Sequence, residues 1–165
     1  MTIAEGLVPE LDHEFATTRR VLERVPEDKL GWKPHEKSMT LGRLAGHVAE
    51  LPGLGQMVLE SEKFVAGNGG KPFVASSRED VLKVFDERAA ALRAKLASSS
   101  DGDLYVPWSL EAQGKTVFTL PRVAALRGFM LSHLVHHRGQ LTVYLRLNDV
   151  AVPSIYGPSA DESGM

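Results

Sequence analysis

The chain has 165 residues, 43% of them hydrophobic, with a formal net charge of −2 and no cysteine. That length and apolar content suit one domain with a substantial core, and the scattered, balanced Lys and Arg argue against nucleic acid as a partner. The missing cysteine excludes disulfides, a cysteine nucleophile and thiolate metal sites, so any metal must be held by nitrogen and oxygen.

The first ten residues place acid and proline where a signal peptide would carry a basic start and an apolar run. No stretch approaches the roughly 18 uninterrupted apolar residues of a membrane span. The expectation is a soluble cytoplasmic protein. Leu7, Leu11, Phe15, Leu22 and Val25 recur at helical spacing with Glu10, Glu14, Arg19, Arg20 and Glu23 between them, which predicts a first amphipathic helix over 7–25. Pro26 follows it, and the breakers Gly31 and Pro34 make 30–38 a loop. Thr40 is placed to cap a second helix, on which Leu44, His47, Leu51, Leu54 and Val58 form one stripe. His47 therefore sits in the middle of a buried face.

The second helix should fade by the glycine-rich run 67–70, which no Gly-Lys-Ser or Gly-Lys-Thr follows and which is therefore not a phosphate loop. Ser76 and Glu79 have the spacing of a capping box, and Leu82, Phe85, Ala89, Leu92 and Leu96 carry a third helix that ends near 98–102. Segments 104–110 and 116–118 flank Glu111-Ala-Gln-Gly114 as a small hairpin or an irregular loop. A fourth helix is expected from Thr119, with Pro121 in its first turn, and Leu126, Met130, His133, His137 and Tyr144 share its inner face. Beyond Asn148 the acidic, proline-bearing end should pack loosely or not at all, including the polar tail from about 159. Four helical segments with little strand signal point to an all-α four-helix bundle, whose topology does not follow from the pattern alone.

His133 and His137 lie one turn apart on one helix face, so two imidazoles can reach one ion. His47 offers a third nitrogen from the second helix, and three protein ligands leave a position for water or a substrate atom. Neutral imidazole suits zinc, nickel, copper and iron, and the bound ion would bring water close to ionising at neutral pH. The bland alternative is that these ring nitrogens meet carbonyls or water. Burying several unpaired rings costs roughly 1–3 kcal/mol each, a cost that a shared ion removes. Spacing alone leaves both readings standing.

His136 lies roughly 80° from the direction that bisects His133 and His137, and is expected in a helix interface. His13 and His35 have no partner at ligand spacing and read as surface or loop residues. Glu50, one turn beyond His47, reads as solvated in preference to an outer hydrogen-bond partner. Gln140 and Tyr144 lie on the metal side and are candidates to orient a ligand or meet developing charge, although Tyr144 suits core packing better. Arg138 faces away and reads as a structural ion-pair partner. Trp32 and Trp108 either wall a cavity mouth or plug the core end. No His-Glu-x-x-His motif supplies a glutamate base.

In Gly31-Trp-Lys-Pro34, Ser38-Met-Thr-Leu-Gly-Arg-Leu-Ala-Gly-His47, His133-Leu-Val-His-His-Arg-Gly-Gln-Leu-Thr-Val-Tyr-Leu-Arg146 and Val152-Pro-Ser-Ile-Tyr-Gly-Pro-Ser159, the chain resembles the DinB family. This is the damage-inducible group related to bacillithiol- and mycothiol-dependent enzymes. The resemblance covers most of the chain and implies an up-down-down-up four-helix bundle. It also implies a divalent metal, zinc or nickel, held at one end by His47, His133 and His137, and a homodimer. Its members range from thiol S-transferases and mycothiol-dependent isomerases to proteins with no known reaction. The expected activity is a metal-dependent transferase using a low-molecular-weight thiol, or a hydrolase using metal-bound water. A stress-linked metal-binding or structural protein without turnover is the alternative, and fold analogy cannot choose between them.

Overall fold

Thr2 opens the first helix earlier than the apolar stripe alone predicts. In the computed structural model, which describes residues 1–67 and 71–163, helix α1 runs Ile3–Leu22. Thr2 Oγ1 accepts from Glu5 N at 3.1 Å and Glu5 Oε2 accepts from Thr2 N at 2.7 Å, a reciprocal cap that satisfies two end donors. Pro9, in the second turn, is tolerated within the helix. Val25, assigned to this helix by its spacing, lies beyond the helix end but is fully buried.

Helix α2, Leu41–Glu60, starts where expected, with Thr40 Oγ1 accepting from Arg43 N. It stops at Ser61, before the glycines, because the chain there turns into strand β1, Lys63–Ala66. The expected turn at 67–70 is described only at Gly67, whose φ of +94° favours glycine; the rest lies outside the described residues. Helix α3, Arg78–Ala97, is capped by Ser77, one residue later than the predicted Ser76, whose hydroxyl bonds the Asp80 side chain instead. A short helix α4, Asp101–Tyr105, follows, capped reciprocally by Ser100 and Asp103.

The largest departure from an all-α fold is a three-stranded sheet. Strand β2, Pro107–Ala112, pairs parallel with β1 and antiparallel with β3, Lys115–Pro121. The hairpin has the two-residue loop Gln113-Gly114 with φ of +51° and +74°, the doubly left-handed turn that matches strand twist. β3 pairs through Pro121, so the last helix cannot begin at Thr119. Pro121 is instead the residue preceding α5, Arg122–Ala125. A π-helical segment, Leu126–Leu131, then continues into α6, Ser132–Leu147.

The molecule is mostly helical, and four long elements organise it: α1 and α2 each pack on both α3 and α6. Leucines and small residues from all four fill the interior, and Phe15 of α1 meets Phe85 of α3 edge-on at 5.8 Å. Trp108 on β2 is fully buried, donates from Nε1 to Ser61 Oγ and packs against Phe118 and Phe129. The sheet thus covers the stretch of the last helix that leads into His133.

Residues 149–162 are docked, which corrects the expectation of a loose end there. Pro153 and Ser154 are buried. Glu162 pairs with Arg20 and Arg24 of the first helix region and accepts from Ser154 N, while Asp161 pairs with Arg146 and accepts from Val152 N. The acidic residues that looked like a solvated tail are the groups that meet these arginines. Among the described residues no helix is long and apolar enough to cross a membrane.

Candidate metal centre

α2 and α6 face each other with His47, His133 and His137 on their shared side, and one ring nitrogen from each lies within 4.8 Å of the others. His47 Nε2 is 3.3 Å from His133 Nε2. Two nitrogens bound at about 2.0–2.1 Å to one tetrahedral ion stand about 3.3–3.4 Å apart, so this pair already has the spacing of a shared metal. The ring centroids of His47 and His137 are 4.6 Å apart, and those of His133 and His137 are 4.7 Å apart.

The rings are half-buried, and burial is the main reason each is harder to protonate than an ordinary histidine. His47 is pushed down to about 4, by burial first and then by the nearby His137 and His133. His133 and His137 are also lowered, again mainly by burial. Neutral rings keep the lone pairs that a cation requires.

One contact fixes a tautomer within the cluster. Gln140 Oε1 lies 2.7 Å from His137 Nδ1, and an amide oxygen only accepts, so Nδ1–H donates and Nε2 is left free. The Phe129 backbone, one turn before His133, acts weakly against the lowering that burial causes in that ring. Phe129 belongs to the π-helical segment that leads into His133.

The remaining sequence candidates separate clearly. His136 is exposed and lies beside His137, at a centroid distance of 4.8 Å, rather than in a helix interface, because α6 turns that side to solvent. His13 and His35 are exposed, as expected. Tyr144 spends its hydroxyl on the Met39 carbonyl and packs edge-on against Trp32, so it belongs to the packing of the 30–40 loop. Glu50 is not freely solvated: it accepts from Phe73 N at 3.0 Å and pairs with Arg43 at 3.2 Å. Arg138 is buried and paired with Glu14, as its helical position predicts.

A cleft of about 480 Å³ opens beside His47 and His133, with Phe64, Phe129 and Leu54 among its apolar walls and Arg43, Lys71 and Arg88 among its polar ones. Neither tryptophan lines it. Lys71 and Arg88 come from segments far from the histidines in sequence, and no periodic signal could have brought them there.

A family model described as the DinB superfamily matches residues 10–141. The chain is 23% identical over 154 residues to the protein YrdA of Bacillus subtilis, across 92% of this chain and 86% of that one. Its fold is similar to that of a DinB-like protein from Bacillus cereus, with a TM-score of 0.72 at 23% identity, covering 94% and 98% of the two chains. A DinB-like protein of Bacillus subtilis, YjoA, superposes with a TM-score of 0.69 at 19% identity, covering 97% and 99%.

Proposed function

The chain belongs to the DinB superfamily, and from that premise we propose that it is a metal-dependent enzyme acting on a small molecule in the cleft beside its histidines. His47, His133 and His137 are the ligands in this reading, with zinc or nickel as the ion. The family's up-down-down-up bundle accounts for the ring of four long helices, and a homodimer is the expected assembly. The observation that carries the reading is the convergence of three half-buried imidazoles next to an open cleft.

When bound, the ion would act as a Lewis acid that activates water or stabilises a thiolate. Everything else falls to the chain. Gln140 holds the His137 ring in the tautomer that offers Nε2. Phe64, Phe129 and Leu54 exclude water from one side of the cleft. The chain has no cysteine, so a thiol nucleophile comes from a cosubstrate. A thiol S-transferase is the first form of the proposal, and a hydrolase using water is the second.

The test is metal analysis of protein purified without chelator, wild type against His137→Ala, followed by titration of low-molecular-weight thiols into the cobalt-loaded form. Near-stoichiometric metal that is lost in the variant, with a spectral change on adding thiol, supports thiol transfer. Metal without a thiol response favours water as the nucleophile. Failure to bind metal even after reconstitution overturns the reading. The open cleft argues against the non-catalytic alternative, which metal-dependent turnover abolished by His133→Ala would exclude.

A further inference from the structure

The cleft beside the histidines has an unbalanced charge. Arg43 is neutralised by Glu50, 3.2 Å away, and also donates to the Phe73 carbonyl. Lys71 and Arg88 also line the cleft, and among the described residues neither forms a hydrogen bond or an ion pair. Among the described residues, two uncompensated cations therefore flank a cleft whose other walls are largely apolar. An arginine in that setting is a fork of donors without a carboxylate to meet.

Arg88 is also placed by a specific feature of α2. Its guanidinium lies across Gly53, and a Cβ built at Gly53 would stand 2.5 Å from Arg88 Nη1 and 3.3 Å from Arg88 Cδ. The bare backbone at Gly53 leaves room for the guanidinium to sit against the helix beside the cleft. Gly53 sits in the helix interior, where glycine costs about 1 kcal/mol against alanine, so a use for the bare backbone there carries weight.

We propose that Arg88 and Lys71 anchor an oxyanion, a carboxylate or phosphate, on the small molecule that enters this cleft, and that Gly53 positions Arg88 for the task. The inference rests on the reading of the histidine cluster as the reaction centre, whose substrate class it narrows to anions. Arg88 supplies a planar two-pronged contact and Lys71 a point charge, while the apolar walls hold the rest of the molecule. The anchored group would leave the reactive end facing His47 and His133, which line the same cleft.

The experiment uses metal-free protein at low ionic strength, so that a bound ion cannot itself attract the probe. Succinate and inorganic phosphate are titrated separately, with uncharged succinamide as control, and amide shifts of cleft residues are followed by NMR. Succinate or phosphate, but not succinamide, should move the signals of Gly53 and its neighbours, and the stronger of the two identifies the group. Arg88→Gln and Lys71→Gln should each weaken binding by about tenfold, the loss of one charge-assisted contact. Gly53→Ala should weaken it comparably while the fold is retained, since the displaced atoms belong to a flexible side chain. Arg24→Gln, remote from the cleft, should change nothing. Unchanged affinity in both cleft variants, equal loss in Arg24→Gln, or no binding of either anion overturns the proposal. Anion binding that depends on Arg88 in a protein that never takes up metal would sustain the anchor while the metal reading fails.

Discussion

His47 Nε2 and His133 Nε2 face each other at 3.3 Å between α2 and α6. Two lone pairs cannot sit at that distance without something positive between them. In the metal-free protein one of the two nitrogens carries a proton and the other accepts it. Exchanging that one proton for a cation leaves both rings where they are. The cluster is therefore preorganised, with only modest movement left for His137.

The acid response of the metal-free protein follows from the same burial. His47 titrates near 4 when folded and near 6.5 when unfolded. The folded state therefore binds fewer protons between these values, so stability is full above about 6.5 and is lost as pH falls toward 4. Urea unfolding of the metal-free protein from pH 7.5 to 5 should show a midpoint that falls with pH, and His47→Gln should flatten that slope. Equal slopes in the two proteins would refute the assignment. Metal should stay bound to pH values below the ordinary histidine range, because protons compete poorly for these rings.

Gln140 tests whether orientation matters to the site. Its Oε1 holds His137 Nδ1–H at 2.7 Å from a largely exposed position, so the side chain contributes little to packing. Gln140→Leu should lower metal affinity by about 10- to 100-fold, as measured by competition with a chromophoric chelator, with little change in thermal midpoint. Gln140→Glu keeps an acceptor and should restore most of the affinity. If Leu and Glu behave alike, the contact is incidental.

Much of this site was legible because helical spacing carries three-dimensional information. Residues 133 and 137 fall on one face whatever the rest of the chain does, and the stripe through Leu44 and Leu51 places His47 inward. The caps at Thr40 and the end of α3 near 98 were legible for the same local reason. The sheet was only half visible: Gln113-Gly114 marks the turn, but β1 pairs with β2 across more than 40 residues, and no short-range pattern encodes that register. The π-helical segment was invisible, because Leu126 and Met130 continue the apolar spacing of an ordinary helix while the ladder is reset by Ser132 bonding back to Arg127. Asp161 and Glu162 looked solvated because their partners, Arg146 and Arg20, are distant in sequence or on another element.

The buried pair behind the site is the next place to probe. Arg138 Nη1 lies 2.7 Å from Glu14 Oε2 and also donates to Thr18 Oγ1, and Tyr156 Oη accepts from Arg138 while donating to Glu14. This network joins α1, α6 and the C-terminal segment next to His137. Glu14→Gln or Arg138→Met alone strands a buried charge and should cost about 3–5 kcal/mol in denaturant unfolding. The double change Glu14→Leu with Arg138→Met should cost clearly less than the sum of the singles, because no charge is left unpaired. A strictly additive double variant would mean that the pair is not coupled.

Two helical glycines give opposite expectations for the same substitution. Gly6 is exposed on α1 with nothing within 4 Å of a built Cβ, so Gly6→Ala gains helix propensity without a clash and should stabilise by up to about 1 kcal/mol. At Gly46, one residue before His47, a Cβ would stand 2.6 Å from the Phe73 carbonyl oxygen and 3.1 Å from the Phe73 ring. That oxygen is backbone, held in place by Arg43, and Phe73 N is held by Glu50, so the segment cannot yield without breaking both contacts. Overpacking of this kind costs about 1–3 kcal/mol, which exceeds the propensity gain. Gly46→Ala should therefore lower the thermal midpoint and, because the displaced strand of chain 71–73 borders the cleft, alter the environment of His47 in the NMR spectrum. A Gly46→Ala protein as stable as Gly6→Ala would show that 71–75 is not packed against α2 as described.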